Sequence, residues 1–282
     1  MRRPNFMETL NVREVRQESS GIWTIMIGIR AVDRWMEMVP GQFVMVWIPG
    51  VDEVPMSVSH LEEGAIGITI QSIGEATNAL CSLRPGSKLG IRGPYGNGFS
   101  LGPDGDMKRI IGVSGGVGAA STILAMEWAA RSGMETVNLV GSRDLSLLIF
   151  KERWESISDE VRFSTDDGSF GHRGLVTDLL EEELEKISER DRKRTSIITC
   201  GPEVMMASVA RILKDRGLKG EFSLERFMKC GIGVCDSCSI SGKRVCMDGP
   251  VFRLDDVLEM KEFGRSHRDR AGRSIPIKEC VK

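Results

Sequence analysis

The sequence contains no apolar run able to cross a bilayer: its longest nearly apolar stretch, Gly21 to Ile29, falls far short of the roughly 20 residues a spanning helix needs. It carries no surplus of positive charge. Lys and Arg number 38 against 40 Asp and Glu, a net charge of −2, so there is no phosphate-neutralising excess and nucleic acid is not the expected partner. The segment MRRPNFMETL has two arginines but no apolar run behind them. A secretory signal is therefore not expected, and the cytoplasm is the default compartment. Internal repeats and low-complexity tracts are missing. An even set of cysteines is missing too: there are 7, which argues against a disulfide framework and for metal binding plus a few unpaired thiols.

What is present is an ordinary globular composition. The 282 residues are 41% hydrophobic and 28% charged, enough for a substantial core and about two domains with an appendage. The first hundred residues read as short strands: Thr9 to Val15, Ile22 to Ile29, Gln42 to Ile48, Pro55 to Ser59, Ala65 to Ile70 and Lys88 to Arg92. Turn signals such as Ser20-Gly21, Pro40-Gly41 and Glu63-Gly64 separate them, and only Ala76 to Ser82 offers a short helix. This spacing fits a six-stranded antiparallel barrel or sandwich. A linker, GPDGDMK, follows near residue 104. Strands (Arg109–Ser114, Thr136–Val140, Val161–Thr165, Ser196–Cys200, Phe222–Leu224) then alternate with helices (Ala119–Ser132, Thr177–Arg190, Pro202–Arg216), which predicts a doubly wound parallel sheet. A short helix is expected within 251–263. The expected units are 1–103, 104–219 and 220–282.

The strongest chemical signal is Cys230-x4-Cys235-x2-Cys238-x7-Cys246. The first three cysteines have the plant-type iron–sulfur spacing, and four thiolates hold a [2Fe–2S] cluster. Gly231 and Gly233 let the backbone curl so that its N–H groups can point at the sulfurs. Tetrahedral zinc is the alternative, although only one Cys-x2-Cys pair is present. The loop GVSGGVGAAS, 112–121, lies between a strand and a helix. Gly115, Gly116 and Gly118 there would admit a pyrophosphate against the helix N-terminus, or would simply make a tight turn. Two more loops end strands: one carrying Asp166, the other Cys200-Gly201-Pro202. All three are candidates for NAD(H). Arg143, after the second strand, could reach a 2′-phosphate or be a solvated arginine.

Pro40-Gly41-Gln42-Phe43, Pro55-Met56-Ser57, Gly74-Glu75-Ala76-Thr77, the segment from Gly93 to Phe99, the glycine loop and Cys200-Gly201-Pro202 occur in the order seen in the ferredoxin-reductase flavoprotein family. The chain resembles that family over nearly its whole length. The resemblance implies an FAD-binding barrel followed by an NAD-binding α/β domain and a small C-terminal [2Fe–2S] module. The appended CGIGVCDSC and VCMDGPVF, with the tail EFGRSHRDRAGRSIPI, narrow it to the electron transfer subunits of dihydroorotate dehydrogenase B in their archaeal form. It then implies, as FAD contacts, Val54, Pro55, Met56 and Ser57, the backbone of Thr69, Ile70 and Gln71, and the phosphate loop Gly74, Ala76 and Thr77. Val54 departs from the family, which often has Arg there. The missing charge would come from Arg92 or from backbone and helix N–H groups. As the resemblance has it, electrons from dihydroorotate, oxidised at FMN on a separate catalytic subunit in a heterotetramer of two plus two, pass through [2Fe–2S] and FAD to NAD in pyrimidine biosynthesis. No group that would oxidise dihydroorotate is evident, since His60, His172 and His267 lie in unrelated segments and read as structural or solvated. The rival readings are a flavin/iron–sulfur subunit of a cytoplasmic hydrogenase, a sulfite reductase or a ferredoxin–NADP oxidoreductase, and a zinc-binding regulatory module. The cluster loop, with Phe227, Met228, Ile232 and Val234, is the expected docking face. The segment 261–282, with seven Lys/Arg and three Asp/Glu, would add electrostatic complementarity.

Overall fold

The computed structural model describes residues 6–30, 34–101 and 107–277. Five of the seven residues in the expected linker, 102–106, and the last five of the basic tail lie outside them. Six strands make the first unit: β1 (Glu8–Ser19), β2 (Ile22–Gly28), β3 (Phe43–Ile48), β4 (Asp52–Glu62), β5 (Ala65–Gln71) and, after helix α1 (Glu75–Cys81), β6 (Lys88–Tyr95). They close in the order β1-β2-β5-β4-β3-β6, every pair antiparallel. Val44, Val46, Ile66, Ile68 and Ile91 are fully buried inside. β4 runs well beyond the expected Pro55–Ser59, because its N-terminal half continues to pair with β3 from Asp52 onward.

The second unit is a twisted sheet. Its strands are β7 (Arg109–Gly115), β8 (Glu135–Ser142), β9 (Glu160–Thr165), the two-residue β10 (His172–Arg173), β11 (Thr195–Cys200) and β12 (Lys219–Ser223). All these pairings are parallel. The order β10-β9-β8-β7-β11-β12 reverses direction between β7 and β11. That point is where open α/β sheets bind ligands. Helices α2 (Ala119–Arg131) and α3 (Lys151–Ile157) cover one face; α4 (Val176–Glu185) and α6 (Glu203–Arg216) cover the other. The helix expected to run from Thr177 to Arg190 breaks. Ser188 caps a separate turn, α5 (Glu189–Arg192), by accepting the Asp191 N–H, so the chain restarts where a hydroxyl offers the backbone an alternative bond.

The C-terminal region is sewn onto this sheet. It contains a hairpin of β13 (Ser239–Ile240) and β14 (Lys243–Arg244), α7 (Val245–Asp248), β15 (Val251–Arg253), α8 (Leu254–Glu259) and a second hairpin, β16 (Ser266–Arg268) with β17 (Ser274–Pro276). The short helix expected within 251–263 is α8, and the three residues before it, Val251–Arg253, are strand. β15 pairs antiparallel with β12, placing Phe252 opposite Phe222, and both side chains are buried. The expected border at 219/220 falls inside β12. Glu203, at the start of α6, pins the region further: its carboxylate receives the Arg226 guanidinium and the Gly264 N–H.

Candidate redox site

The four-cysteine loop is organised around its sulfurs. The N–H groups of Ile232, Val234 and Cys235 point at Cys230 Sγ from 3.5, 3.4 and 3.4 Å. Gly233 N–H donates to Cys246 Sγ at 3.1 Å and Cys246 N–H to Cys238 Sγ at 3.4 Å. Such geometry needs tight curls. Gly231, Gly233 and Asp236 all take positive φ, which is uncommon for a non-glycine such as Asp236. Amide dipoles aimed at sulfur stabilise thiolates, so this donor set suits a cluster bound by thiolates. Cys238 and Cys246 are buried, while Cys230 is half-buried and Cys235 exposed. Burial pushes the Cys246 thiol up to about 12, and the neighbouring Cys238 adds to it against the Gly233 N–H. Burial also opposes ionisation of Cys235, but hydrogen bonds from Ser237 and at Cys230 outweigh it and bring that thiol down to about 6. Among the described residues no three His, Cys, Asp or Glu side chains enclose a single ion. None of the described cysteines is in a disulfide.

The loop rests on the barrel. A Cβ built on Gly231 would stand 2.8 Å from Met45 Cγ, with the Tyr95 ring next, so only glycine lets the cluster backbone come this close. Met45, fully buried, is paired in register with Pro55 on one side and Arg92 on the other. The cluster loop therefore lies one strand away from the expected flavin segment, Val54–Ser57. That stretch of β4 is half-buried from Glu53 to Ser57, unlike the buried Val58 to His60, and is open enough to face a cofactor. Register sorts its side chains. Pro55 and Ser57 share the outer face with Met45 and Phe43, whereas Val54 and Met56 pair with Val46 and Val44 and pack against the barrel core. Only the backbone of Val54 and Met56 remains available to a ligand on the outer face. Arg92 does not supply the charge missing at Val54. Glu53 grips its guanidinium at 2.5 and 2.7 Å, and this hydrogen-bonded carboxylate, acting against burial, raises the Arg92 pKa further. Both cation and anion are consumed.

The remaining flavin candidates divide in the same way. Thr69 Oγ1 is spent on Thr24 and Ser59, 2.7 Å from each. Ile70 lies in the barrel core and Gln71 is half-buried at the end of β5. Ala76 is buried in α1. Gly74 faces open space, and a Cβ there would meet nothing within 4 Å, so its backbone is approachable. Thr77 Oγ1 accepts the N–H groups of Ile73 and Gly74 at 3.0 and 2.9 Å and donates to Gly74 O. Its role is to shape that loop.

The nucleotide candidates meet at the switch point. Gly118 abuts the Cys200 carbonyl, where a Cβ would come within 2.6 Å, and a Cβ on Gly201 would come within 2.9 Å of Gly115. The β7–α2 and β11–α6 loops therefore touch, with Pro202 at the N-cap of α6. Gly116 stays open, with nothing within 4 Å. Burial pushes the Cys200 thiol up to about 12, helped by the Glu225 carboxylate and opposed by Ser121 and Ser223, so Cys200 remains a neutral thiol. Ser121, in the first turn of α2, donates to Ser57 Oγ at 2.8 Å. One hydroxyl pair thus links the expected flavin segment to the candidate nucleotide loops. Asp166 stands apart at the end of β9, its carboxyl raised by burial and lowered in part by Arg143. Arg143 therefore faces a carboxylate. Sequence reasoning missed Met45 and Ser121. The run Phe43-Val44-Met45-Val46 is apolar on both strand faces, and that was the available sign that the outer face is covered as well. Ser121 gave no such sign.

The profile of the iron–sulfur cluster binding domain of dihydroorotate dehydrogenase B matches residues 225–258, the span holding all four cysteines. Relatives named as electron transfer subunits of dihydroorotate dehydrogenase B (NAD+) align along nearly the full length. The Methanocella arvoryzae protein is 43% identical over 94% of this chain and 97% of its own. The Methanocaldococcus jannaschii protein is 38% identical over 94% and 96%. Among solved structures, the NADH-dependent reduced ferredoxin–NADP oxidoreductase superposes with a TM-score of 0.76 at 24% identity, covering 90% of this chain and 92% of that one. A ferredoxin–NADP+ reductase from Neisseria gonorrhoeae superposes at 0.62 and 18% identity, over 75% and 92%. These two share the fold. With barrel, sheet and cysteine loop arranged as described and relatives at this identity along its length, the chain belongs to the family of dihydroorotate dehydrogenase B electron transfer subunits.

Proposed function

We propose that this chain carries electrons away from dihydroorotate, oxidised on an FMN-bearing catalytic partner, and delivers them to NAD+ in pyrimidine biosynthesis, within a cytoplasmic heterotetramer of two plus two. Cys230, Cys235, Cys238 and Cys246 hold a [2Fe–2S] cluster. Pro55 and Ser57, the backbone around Val54 and Met56, the β5 segment Thr69–Gln71 and the loop at Gly74, Ala76 and Thr77 hold FAD. Gly115, Gly116, Gly118, Gly201, Pro202, the backbone at the buried Cys200 and the strand end at Asp166 receive NAD(H). Together these groups supply exchange between one-electron and hydride transfer. The chain's own residues supply position. Gly231 keeps the cluster loop against Met45, beside Pro55, and Ser121 ties Ser57 to the nucleotide loops. The contact of Gly231 with the barrel carries the proposal, because electron transfer between two centres requires them to be close. The 104–219 and 220–282 units act as one support, since β15 belongs to the sheet of the former. No described helix is long and apolar enough to cross a membrane.

Family membership ranks this reading above a hydrogenase or sulfite reductase subunit, and the iron–sulfur profile ranks it above a zinc module. The test is co-purification with the candidate FMN dehydrogenase, followed by an assay for dihydroorotate-dependent NAD+ reduction. Activity should require both chains. A dehydrogenase that reduces NAD+ equally well without this chain would overturn the assignment.

A further inference from the structure

Beside the cluster loop, the β16–β17 hairpin borders an open cavity of about 280 Å3. Phe227, Cys235 and Ser237 form one wall and residues 268–272 the other. Its charge is unbalanced. Lys229, Arg268 and Arg270 line it, with Asp236 and Asp269 as the only acids among the described lining residues. Asp269 is turned into its own hairpin: its carboxylate accepts the N–H groups of Ala271 and Arg273 at 2.8 and 2.9 Å and the Arg273 Nε at 2.9 Å. Lys229 and Arg270 stack against the Phe227 ring, 5.9 and 6.0 Å from its centroid. Arg270 reaches Asp52 at 3.8 Å. Neither Lys229 nor Arg268 has an ion-pair partner among the described residues. Next to this basic cavity the cluster loop exposes apolar side chains: Ile232 by 39% and Val234 by 77%, with Met247, at 55%, against Gly233. Met228, expected on the docking face, is buried instead.

We propose that this cavity receives an acidic segment of the catalytic partner. A carboxylate side chain enters between Lys229 and Arg268, while Ile232, Val234 and Met247 pack on apolar surface beside it. This inference rests on the reading that such a partner docks at the cluster. With Asp269 held by its own hairpin and Arg270 facing Asp52, Lys229 and Arg268 outnumber Asp236, and that excess of positive charge calls for an anion. The adjoining apolar side chains select a protein over a free ion, because a free anion would cover none of them. The position beside Cys235, the most exposed cluster ligand, makes the same contact serve electron entry. Charges at such a rim act mainly on association rate and its salt dependence.

The experiment measures association of the cofactor-loaded chain with the purified dehydrogenase subunit by biolayer interferometry at low and high salt. Arg268→Glu should slow association about tenfold or more at low salt and flatten the salt dependence, whereas Arg268→Lys should keep both. The visible cluster spectrum and NADH oxidation by ferricyanide should be unchanged in both variants, which certifies that they fold. An Arg268→Glu chain that associates at the wild-type rate overturns the cavity as receptor, even when the wild type binds. If in addition the wild-type cavity takes up inorganic phosphate, a free anion is its ligand and the proposal again fails. A wild-type chain that does not bind the dehydrogenase overturns the functional reading together with this one.

Discussion

Thr77 shows how a residue singled out as a ligand can act one step removed. Its hydroxyl is filled by Ile73, Gly74 and the Gly74 carbonyl, so it shapes the loop that would meet a phosphate. Thr77→Ala frees two exposed N–H groups, each bond contributing about 0.5–1.5 kcal/mol, with water replacing part of that. FAD content after dialysis should fall in Thr77→Ala and be retained in Thr77→Ser; equal retention in both would remove the loop from flavin binding. His60 is the second residue with a measurable consequence. Burial first, then the charges of Arg153 and Arg16, lower its pKa from 6.5 to about 3. Arg16 can only donate, so Nε2 accepts from it, 3.3 Å away, and Nδ1–H donates to Ser59 Oγ at 2.9 Å. Below pH 6.5 the unfolded chain takes a proton that the folded chain refuses until about pH 3. Stability is therefore whole above pH 6.5 and declines as pH falls through that window, by at most about 1.4 kcal/mol per pH unit. Thermal unfolding between pH 7.5 and 5 should show a smaller decline in His60→Gln than in the wild type; equal declines would mean that other groups carry the acid response.

At the scale of elements, β15 and α8 bind the cluster module to the sheet. Phe252, Leu254, Val257, Met260 and Phe263 are all buried in the core shared with Phe222 and Cys246. At about 1.5–3 kcal/mol per buried side chain, losing all of them removes on the order of 10 kcal/mol, comparable with the whole stability of a domain. A chain ending at Gly249 should therefore be recovered as aggregate, with the β12 edge exposed. A chain ending at Gly264 keeps that core and should unfold within a few degrees of the full chain. Loss of folding in the second truncation would show that the β16–β17 hairpin is structural. The same elements mark the limit of what the sequence disclosed. The barrel and the parallel strands were legible because alternation, β-branched residues and glycine turns are local signals. β15 was not, because Val251 to Arg253 become a strand only through Phe222, some thirty positions earlier in the chain. The two-residue strands, and α3 behind a left-handed Phe150, likewise depend on partners that no local pattern reveals. For the candidate site, the cysteines were legible from spacing alone. The Glu53–Arg92 pairing and the inward turn of Val54 and Met56 come from strand register, which spacing does not encode.

For the whole molecule, the decisive relation is between its two ends: the barrel presents Met45 and Tyr95, and the cluster loop meets them with Gly231. Gly231 has φ +69 and no room for a Cβ beside Met45. Gly231→Ala adds backbone strain of about 1–2 kcal/mol and pushes the loop away from β3. The separation between the cluster and the flavin segment should grow while each half stays folded. NADH oxidation by ferricyanide, which on the proposed assignment needs only the barrel and the nucleotide loops, should be retained. Reduction of the cluster by NADH, followed in stopped flow at the iron–sulfur absorbance, should slow several-fold. Met45→Ala leaves the loop conformation unstrained and opens a gap at the same contact, so it should slow that step with full iron content. If both variants hold their iron and reduce it at the wild-type rate, electrons do not pass at this contact, and the path lies along another face of the barrel.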